Sequence, residues 1–274
     1  MAPSTASAAT HTAQVVASRR CGPDAFVMEL EVDRDLPDCR PGVFAMLSPA
    51  DGSGPVLPRP FSLYDLLTPT RLSFLIQELG TGTRALGKMS AGAEIEMTFP
   101  LGNGFTLPAA ERPVVLLAGG VGSAPFLHYA RQRVAAGAGD RTCYFMGGRT
   151  KDRLYDHQAF LDCDITTQLS TDDGSYGFHG NVIASLDSQR LAGKIPADAL
   201  YCACGPAGLL HGFADYSREH KLDAQISLET YMGCGFGVCN ACPVPTQPDG
   251  PLGAWPWART CQDGPVFPLT SIVF

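Results

Sequence analysis

Apolar and polar positions largely alternate through the first third of the chain. The runs AFVMELEV (25–32), RLSFLIQEL (71–79) and AEIEMTF (93–99) are separated by the turn clusters DRDLPDCRPG, SPADGSGP and SAG. A period of two belongs to strands with one face on a core, so residues 12–108 are predicted to form a small antiparallel β-barrel. From Arg112 unbroken apolar runs precede stretches with helical spacing: PVVLLAGG before APFLHYARQRVAAG, RTCYFMGGR before DHQAFLD, then ITTQLSTDDG, and DALYCACGP before AGLLHGFADYSREH. Strands alternating with helices predict a parallel, doubly wound α/β sheet over 109–223. From 224 to 274 the chain is rich in glycine, cysteine and proline with little periodicity, and it reads as loops wrapped around something other than a hydrophobic core. There is no internal repeat. The first twenty residues lack the apolar stretch of a secretory signal and read as a loose tail.

Composition narrows the partners. A formal charge of -7 with no basic run argues against nucleic acid and against an anionic membrane surface. The longest apolar stretch, PVVLLAGGVGSAPFL, is too short and too broken by glycine and proline to span a bilayer. A length of 274 residues, 45% of them hydrophobic, suffices for two domains or more. With no export signal, a reducing cytoplasm is expected, and there thiols bind metals more readily than they form disulfides.

The ten cysteines fall into two groups. Cys21, Cys39, Cys143, Cys163, Cys202 and Cys204 are scattered among apolar neighbours and read as small hydrophobes. Cys234, Cys239, Cys242 and Cys261 crowd the C-terminus as C-x4-C-x2-C and a distant fourth, the spacing of a plant-type [2Fe-2S] cluster. Cys234 and Cys239 would hold one iron, Cys242 and Cys261 the other. Glycines at 233, 235 and 237 suit a loop that turns backbone amides toward sulfur. Zinc is the rival ligand, although structural zinc usually takes two short cysteine pairs and the second is missing here.

Two further motifs point to nucleotides. LLAGGVGSAPF puts a glycine-rich turn between a buried strand and a helix, where a dinucleotide pyrophosphate can be received; a plain tight turn is the alternative. STDDGS and CACGPAGLL end later strands, at the edge of an open α/β sheet where ligands bind. Upstream, LPRPFSLYD offers Arg59 for phosphate, Phe61 for a flat ring and Ser62 for a ring nitrogen, although a proline-bounded turn with a core phenylalanine reads equally well. A nicotinamide exchanges a hydride, two electrons together, whereas a [2Fe-2S] cluster passes one at a time. A flavin between them is therefore expected to split the pair.

These motifs together, RPFS at 59–62, GTGT at 80–83, GGVGSAPF at 119–126, TDDGS at 171–175, CGP at 204–206, the cysteine loop and CQDGPVF at 261–267, resemble the electron-transfer subunit of NAD-linked, two-component dihydroorotate dehydrogenase, within the ferredoxin reductase superfamily. The resemblance runs from PGVFAML at 41–47 to the C-terminus. It implies an FAD-binding barrel, an NAD-binding α/β domain and a small C-terminal [2Fe-2S] domain. It also implies a partner, an FMN-containing dehydrogenase subunit joined in a heterotetramer, and a place in pyrimidine biosynthesis. Carried onto this chain, it puts Arg59, Pro60, Phe61, Ser62, Ile76, Gln77, Glu78, Gly82 and Thr83 at FAD. Gly119, Gly120 and Gly122 would border the dinucleotide, with Cys204 and Gly205 near the nicotinamide. Phe61 stands where many relatives have tyrosine, and Gln77 where a basic residue is expected. Arg149 would attract a 2'-phosphate and Asp172 or Asp173 would repel one, so the preference between NAD and NADP stays open. No residue reads as a base for the organic substrate, which belongs to the partner. Two other readings are a self-standing NAD(P)H reductase serving a ferredoxin or oxygenase, and a zinc-stabilised nucleotide-binding regulator.

Overall fold

A computed structural model describes residues 8–274. Its first sheet contains β1 (Ala9–Arg20), β2 (Ala25–Glu31), β3 (Phe44–Pro49), β4 (Arg59–Ser62), β5 (Asp65–Thr68) and β6 (Arg71–Gln77). The short helix α1 (Thr81–Gly87) follows, then β7 (Glu94–Leu101) closes the set. The order is β4-β3-β7-β1-β2-β6-β5, with every neighbour antiparallel. Alternate residues such as Phe26, Met28, Phe74 and Met97 fill its core. One expectation is corrected here: residues 9–20 are strand rather than tail. His11, Ala13 and Val15 face inward at every second position, a period that small and polar residues conceal in the sequence. Residues 1–7, the rest of that stretch, lie outside the described residues.

The second sheet follows the predicted alternation. It runs β8 (Val114–Gly119), α2 (Phe126–Ala135), β9 (Thr142–Gly148), α3 (His157–Leu161), β10 (Thr166–Thr171), β11 (Phe178–His179), α4 (Val182–Leu191), β12 (Leu200–Cys204), α5 (Ala207–His220) and β13 (Asp223–Ser227). The order β11-β10-β9-β8-β12-β13 is parallel throughout, and the chain reverses its walk across the sheet between β8 and β12. In open α/β sheets such a switch point opens a crevice at the carboxyl ends of the strands.

The last segment departs from the reading of core-free loops. A hairpin of β14 (Pro243–Pro245) and β15 (Trp257–Arg259) precedes β16 (Val266–Pro268), which adds antiparallel to β13. Val244, Ala258, Phe267 and Ile272 are buried in the same core as β8, β12 and α5. Proline and glycine broke the sequence pattern without removing the apolar anchors. β13 also crosses the boundary drawn at residue 224.

The two sheets are joined along a seam. The amide of His128 on α2 donates to the Tyr64 carbonyl at 3.0 Å. The Tyr64 hydroxyl donates to Asp156 at 2.6 Å, and that carboxylate also accepts from Arg19 on β1. Asp65, almost fully buried, pairs with Arg131 of α2. Among the described residues no helix is long and apolar enough to cross a membrane.

Candidate functional site

Two turns interlock at the switch point. The turn after β8 carries Gly120 and Gly122, and the turn after β12 carries Gly205. A Cβ on Gly122 would lie 2.5 Å from both the Cys204 carbonyl oxygen and the Gly205 Cα. Only glycine permits this approach. Above the turns opens a cavity of about 1060 Å³, bordered by Gly119, Gly120, Gly122, Gly205, Arg149 and Asp172. Asp173 is turned away, its Oδ1 accepting from the Ser175 amide at 2.9 Å.

A smaller cavity of about 240 Å³ lies between the barrel and the α/β sheet, lined by Pro60, Phe61, Ser62, Thr83 and Cys204 among others. The two cavities share Gln77, Leu79, Val121, Gly122 and Glu229, so they adjoin. Glu229 had no sequence signal beyond its place just after the last parallel strand. Its carboxyl faces the open cleft yet lies deep among protein atoms, and that burial raises its pKa above the usual carboxylate value. Burial and then the Glu229 charge push the Cys204 thiol well above the ordinary thiol range, so Cys204 stays protonated.

Four of the expected residues line neither cavity: Arg59, Ile76, Glu78 and Gly82. Ile76 is wholly buried in the barrel core. Glu78 turns to Arg20, with 2.9 Å between Oε1 and the guanidinium. Arg59 folds onto its own loop, donating to the Leu57 carbonyl at 2.8 Å, and its stem packs on Gly82. The Thr83 hydroxyl accepts from the amides of Leu79 and Gly80 at 2.9 and 3.1 Å, fixing the start of α1. Gln77 donates to Asp24 at 2.9 Å and to Tyr155 at 3.0 Å. Asp24 in turn accepts from Tyr155 and Arg153, a network across the seam beside the larger cavity.

All ten cysteines are free thiols. Cys242 and Cys261 are buried with their sulfurs 3.2 Å apart. Burial and the Cys242 thiol push Cys261 up to about 12. Burial would likewise raise Cys234, but the backbone N–H groups of Cys239, Phe236 and Val238, together with the Cys239 thiol, outweigh it and hold Cys234 at about 6. Gly235 and Gly237 adopt φ of 82° and 87°, the left-handed backbone that aims those amides inward. A Cβ on Gly233 would come within 3.1 Å of the Cys239 sulfur. The donor set is therefore two cysteine pairs, one buried and one in a nest of amides. Among the described residues no group of three or more His, Cys, Asp or Glu side chains is gathered closely enough to hold a metal ion. Two cysteine pairs, with backbone amides aimed at one of them, are the donors that a [2Fe-2S] cluster would take, and in donor type the residues fit that group.

Comparison with known proteins agrees. Residues 229–273 match the iron-sulfur cluster binding domain of dihydroorotate dehydrogenase B. The dihydroorotate dehydrogenase B (NAD(+)) electron transfer subunit of Desulforamulus reducens is 30% identical over 267 residues, 96% of this chain and 97% of that one. The subunit of the same name from Bacillus mycoides is 35% identical over 236 residues, covering 85% of this chain and 86% of its own length. Among solved structures, an NADH-dependent reduced ferredoxin-NADP oxidoreductase superimposes with a TM-score of 0.80 at 23% identity, covering 95% of this chain and 89% of that chain. Phthalate dioxygenase reductase, described as transferring electrons from pyridine nucleotides to [2Fe-2S], gives 0.64 at 19% identity over 86% of this chain and 72% of its own. Identity of 30–35% over nearly the whole length of these relatives, with the iron-sulfur domain match in the last segment, shows that the chain belongs to the family of electron transfer subunits of dihydroorotate dehydrogenase B.

Proposed function

We propose that the smaller cavity receives the flavin ring of FAD, that the larger one receives NAD(H), and that Cys234, Cys239, Cys242 and Cys261 hold a [2Fe-2S] cluster. On this reading 12–108, 109–223 and 224–274 are the FAD, NAD and cluster units of an oxidoreductase subunit. It links a partner dehydrogenase acting on dihydroorotate to NAD+. The observation that carries the reading is the shared wall of Gln77, Leu79, Val121, Gly122 and Glu229, which lets two flat rings meet in one cleft. When bound, the cluster supplies one-electron transfer and FAD interconverts single and paired electrons.

The chain's own residues do the positioning. Phe61 offers a ring face and Ser62 a hydroxyl to the flavin, while the interlocked turns at Gly122 and Gly205 bring backbone amides to the dinucleotide. Thr83 acts by fixing the start of α1, and Arg59 reaches a phosphate by releasing the Leu57 carbonyl. Arg149 and Asp172 both border the larger cavity, one attracting and one repelling a 2'-phosphate, so the assignment to NAD follows the relatives' names. Glu229 keeps its proton to higher pH than an exposed carboxylate and can hydrogen-bond a carboxamide at the junction.

The partner, an FMN-containing subunit in a cytoplasmic heterotetramer, meets the face around Cys239. There Tyr231, Phe236 and Val238 are 95%, 49% and 75% exposed, an apolar group that a bound subunit would cover. The test is anaerobic purification followed by spectra before and after NADH, with flavin, iron and sulfide quantified on the same sample. Flavin with about two irons and two sulfides per chain, bleached by NADH, is the expected result. A colourless protein holding zinc overturns it. Co-elution with an FMN-containing dehydrogenase at equal stoichiometry checks the partner.

A further inference from the structure

The cysteine cage has a buried end and an open end, and the buried end lies against the flavin cavity. Strand β3 makes this arrangement. Its alternation sends Ala45 and Leu47 into the barrel core, while Phe44 and Met46 point the other way and pack with Cys242 and Cys261. Phe44, Met46, Cys242 and Cys261 are each 2% exposed, and Met232 packs against the same group. Phe44 and Met232 also line the smaller cavity. Phe44 and Met232 therefore belong both to the lining of that cavity and to the packing around the buried cysteine pair. That packing is held from both sides. A Cβ on Gly102 would lie 2.8 Å from the Phe44 ring, and one on Gly235 would lie 2.4 Å from Met46 Cγ. At the other end of the cage Cys239 is exposed and Cys234 half-buried.

We propose that Phe44 and Met232 are the positioning residues for electron passage between flavin and cluster, with Cys242 and Cys261 forming the flavin-facing end and Cys234 and Cys239 the end left to the partner. The proposal rests on the reading of the two cavities and the cage given above. NADH oxidation yields two electrons and a proton, and the proton leaves to solvent. Each passage through the wall would move one electron, oxidising the flavin side and reducing the cysteine side; the second follows once the partner's flavin has taken the first electron from the open end, so two passages complete the balance with no bond made in the wall. Electrons from the partner dehydrogenase take the reverse course to NAD+. An apolar, polarizable thioether and an aromatic ring cover the cysteine pair on the cavity side with groups that do not hydrogen-bond water. Dryness matters because solvent exposure is one of the quantities that set an iron-sulfur potential.

The test uses the purified, cofactor-loaded protein with Met232→Ala, Met232→Leu and Phe44→Leu. Three quantities are read: the cluster midpoint potential from a titration followed by electron paramagnetic resonance, exchangeable-deuteron coupling to the reduced cluster, and the lag between flavin and cluster reduction after mixing with NADH. Met232→Ala is expected to raise the potential, because water stabilises the more negative reduced form, to add deuteron couplings, and to lengthen the lag several-fold. Met232→Leu restores all three toward the parent. A Met232→Ala protein identical to the parent in all three overturns the proposal. Should that variant lose its cluster, Phe44→Leu decides: parent values there overturn the proposal, and a longer lag with a raised potential supports it. A parent protein without iron, sulfide or flavin defeats the site reading and the proposal together. A parent with all three and unaltered variants defeats the proposal alone.

Discussion

Gly122 offers the sharpest test of how the cleft is built. In Gly122→Ala the new methyl would sit 2.5 Å from the Cys204 oxygen, 2.5 Å from the Gly205 Cα and 2.7 Å from the Cys204 carbon. Carbon contacts are normally about 3.5–4.0 Å, so the overlap is roughly 1 Å, and all three atoms are backbone. No side chain can rotate away; the turns after β8 and β12 must part. Overpacking of this kind costs about 1–3 kcal/mol, which for a chain of this size corresponds to a fall in Tm of roughly 2–12 °C. Both turns border the larger cavity, proposed to receive NAD(H), so part of the strain is expected to appear as weaker NADH binding, about tenfold for each 1.4 kcal/mol. Gly208→Ala is the control for stability. It lies in the first turn of α5, where an added Cβ would meet nothing within 4 Å, so alanine there is expected to hold or slightly raise Tm. Thermal unfolding and NADH titration of the two variants decide the matter. An unchanged Tm and NADH affinity in Gly122→Ala would falsify the claim that close approach of the two turns shapes the site.

Three other substitutions probe separate parts. Cys239→Ser is expected to abolish bound iron and sulfide while leaving flavin bound and reducible by NADH; full iron content in that variant removes Cys239 from the ligand set. For Asp24, burial raises the carboxyl pKa, but the bonds from Gln77, Tyr155 and Arg153 lower it further, below its usual 3.8. A depressed carboxylate contributes stability above its unfolded pKa and loses it as pH falls through the folded value. The Tm gap between parent and Asp24→Asn should therefore be constant above about pH 5 and shrink below about pH 4; a gap independent of pH counts against the network. Glu229→Gln should remove from the pH profile of flavin reduction by NADH an inflection lying above the ordinary carboxylate value of 4.5, and retention of that inflection assigns it elsewhere.

What was legible in the sequence follows the range over which each signal acts. The spacing of Cys234, Cys239 and Cys242 is local, so the loop was readable; the distant Cys261 carries no local spacing, and the structure puts it beside Cys242. The runs that became β2, β6 and β7 alternate strongly and were plain. β1 was missed because threonine, glutamine and a buried histidine occupy its pattern, and the anchors of 244–272 were hidden among prolines and glycines. The FAD assignments at Ile76, Gln77 and Glu78 show a limit that the strand period itself imposes. Neighbouring side chains point to opposite faces, so the three cannot all face one cavity, and only Gln77 does. Glu229 and Met232 had no local signal because their wall is assembled from the ends of β6 and β13, strands of different sheets.

That assembly has a physical consequence for how electrons and dinucleotide share one seam. Along α2 the sheets are joined by the buried Asp65 carboxylate, which meets the half-exposed Arg131, by the His128 amide on the Tyr64 carbonyl, and by Tyr64 against Phe160 with ring centroids 6.5 Å apart. Tyr64, Phe160 and Asp65 are almost fully buried, so opening this part of the seam would break packed contacts and expose them. Beside the larger cavity the sheets are held by the Asp24–Arg153 pair, whose side chains remain 28% and 40% exposed. Partly exposed pairs contribute little net stability and exchange readily with water. Phe44 is buried and Met232 partly buried beside the buried cysteine pair, the position where the proposed electron passage needs a constant gap. The larger cavity, proposed for a dinucleotide that must bind and leave at every turnover, is bordered instead by Arg153, whose pair with Asp24 is partly open to water.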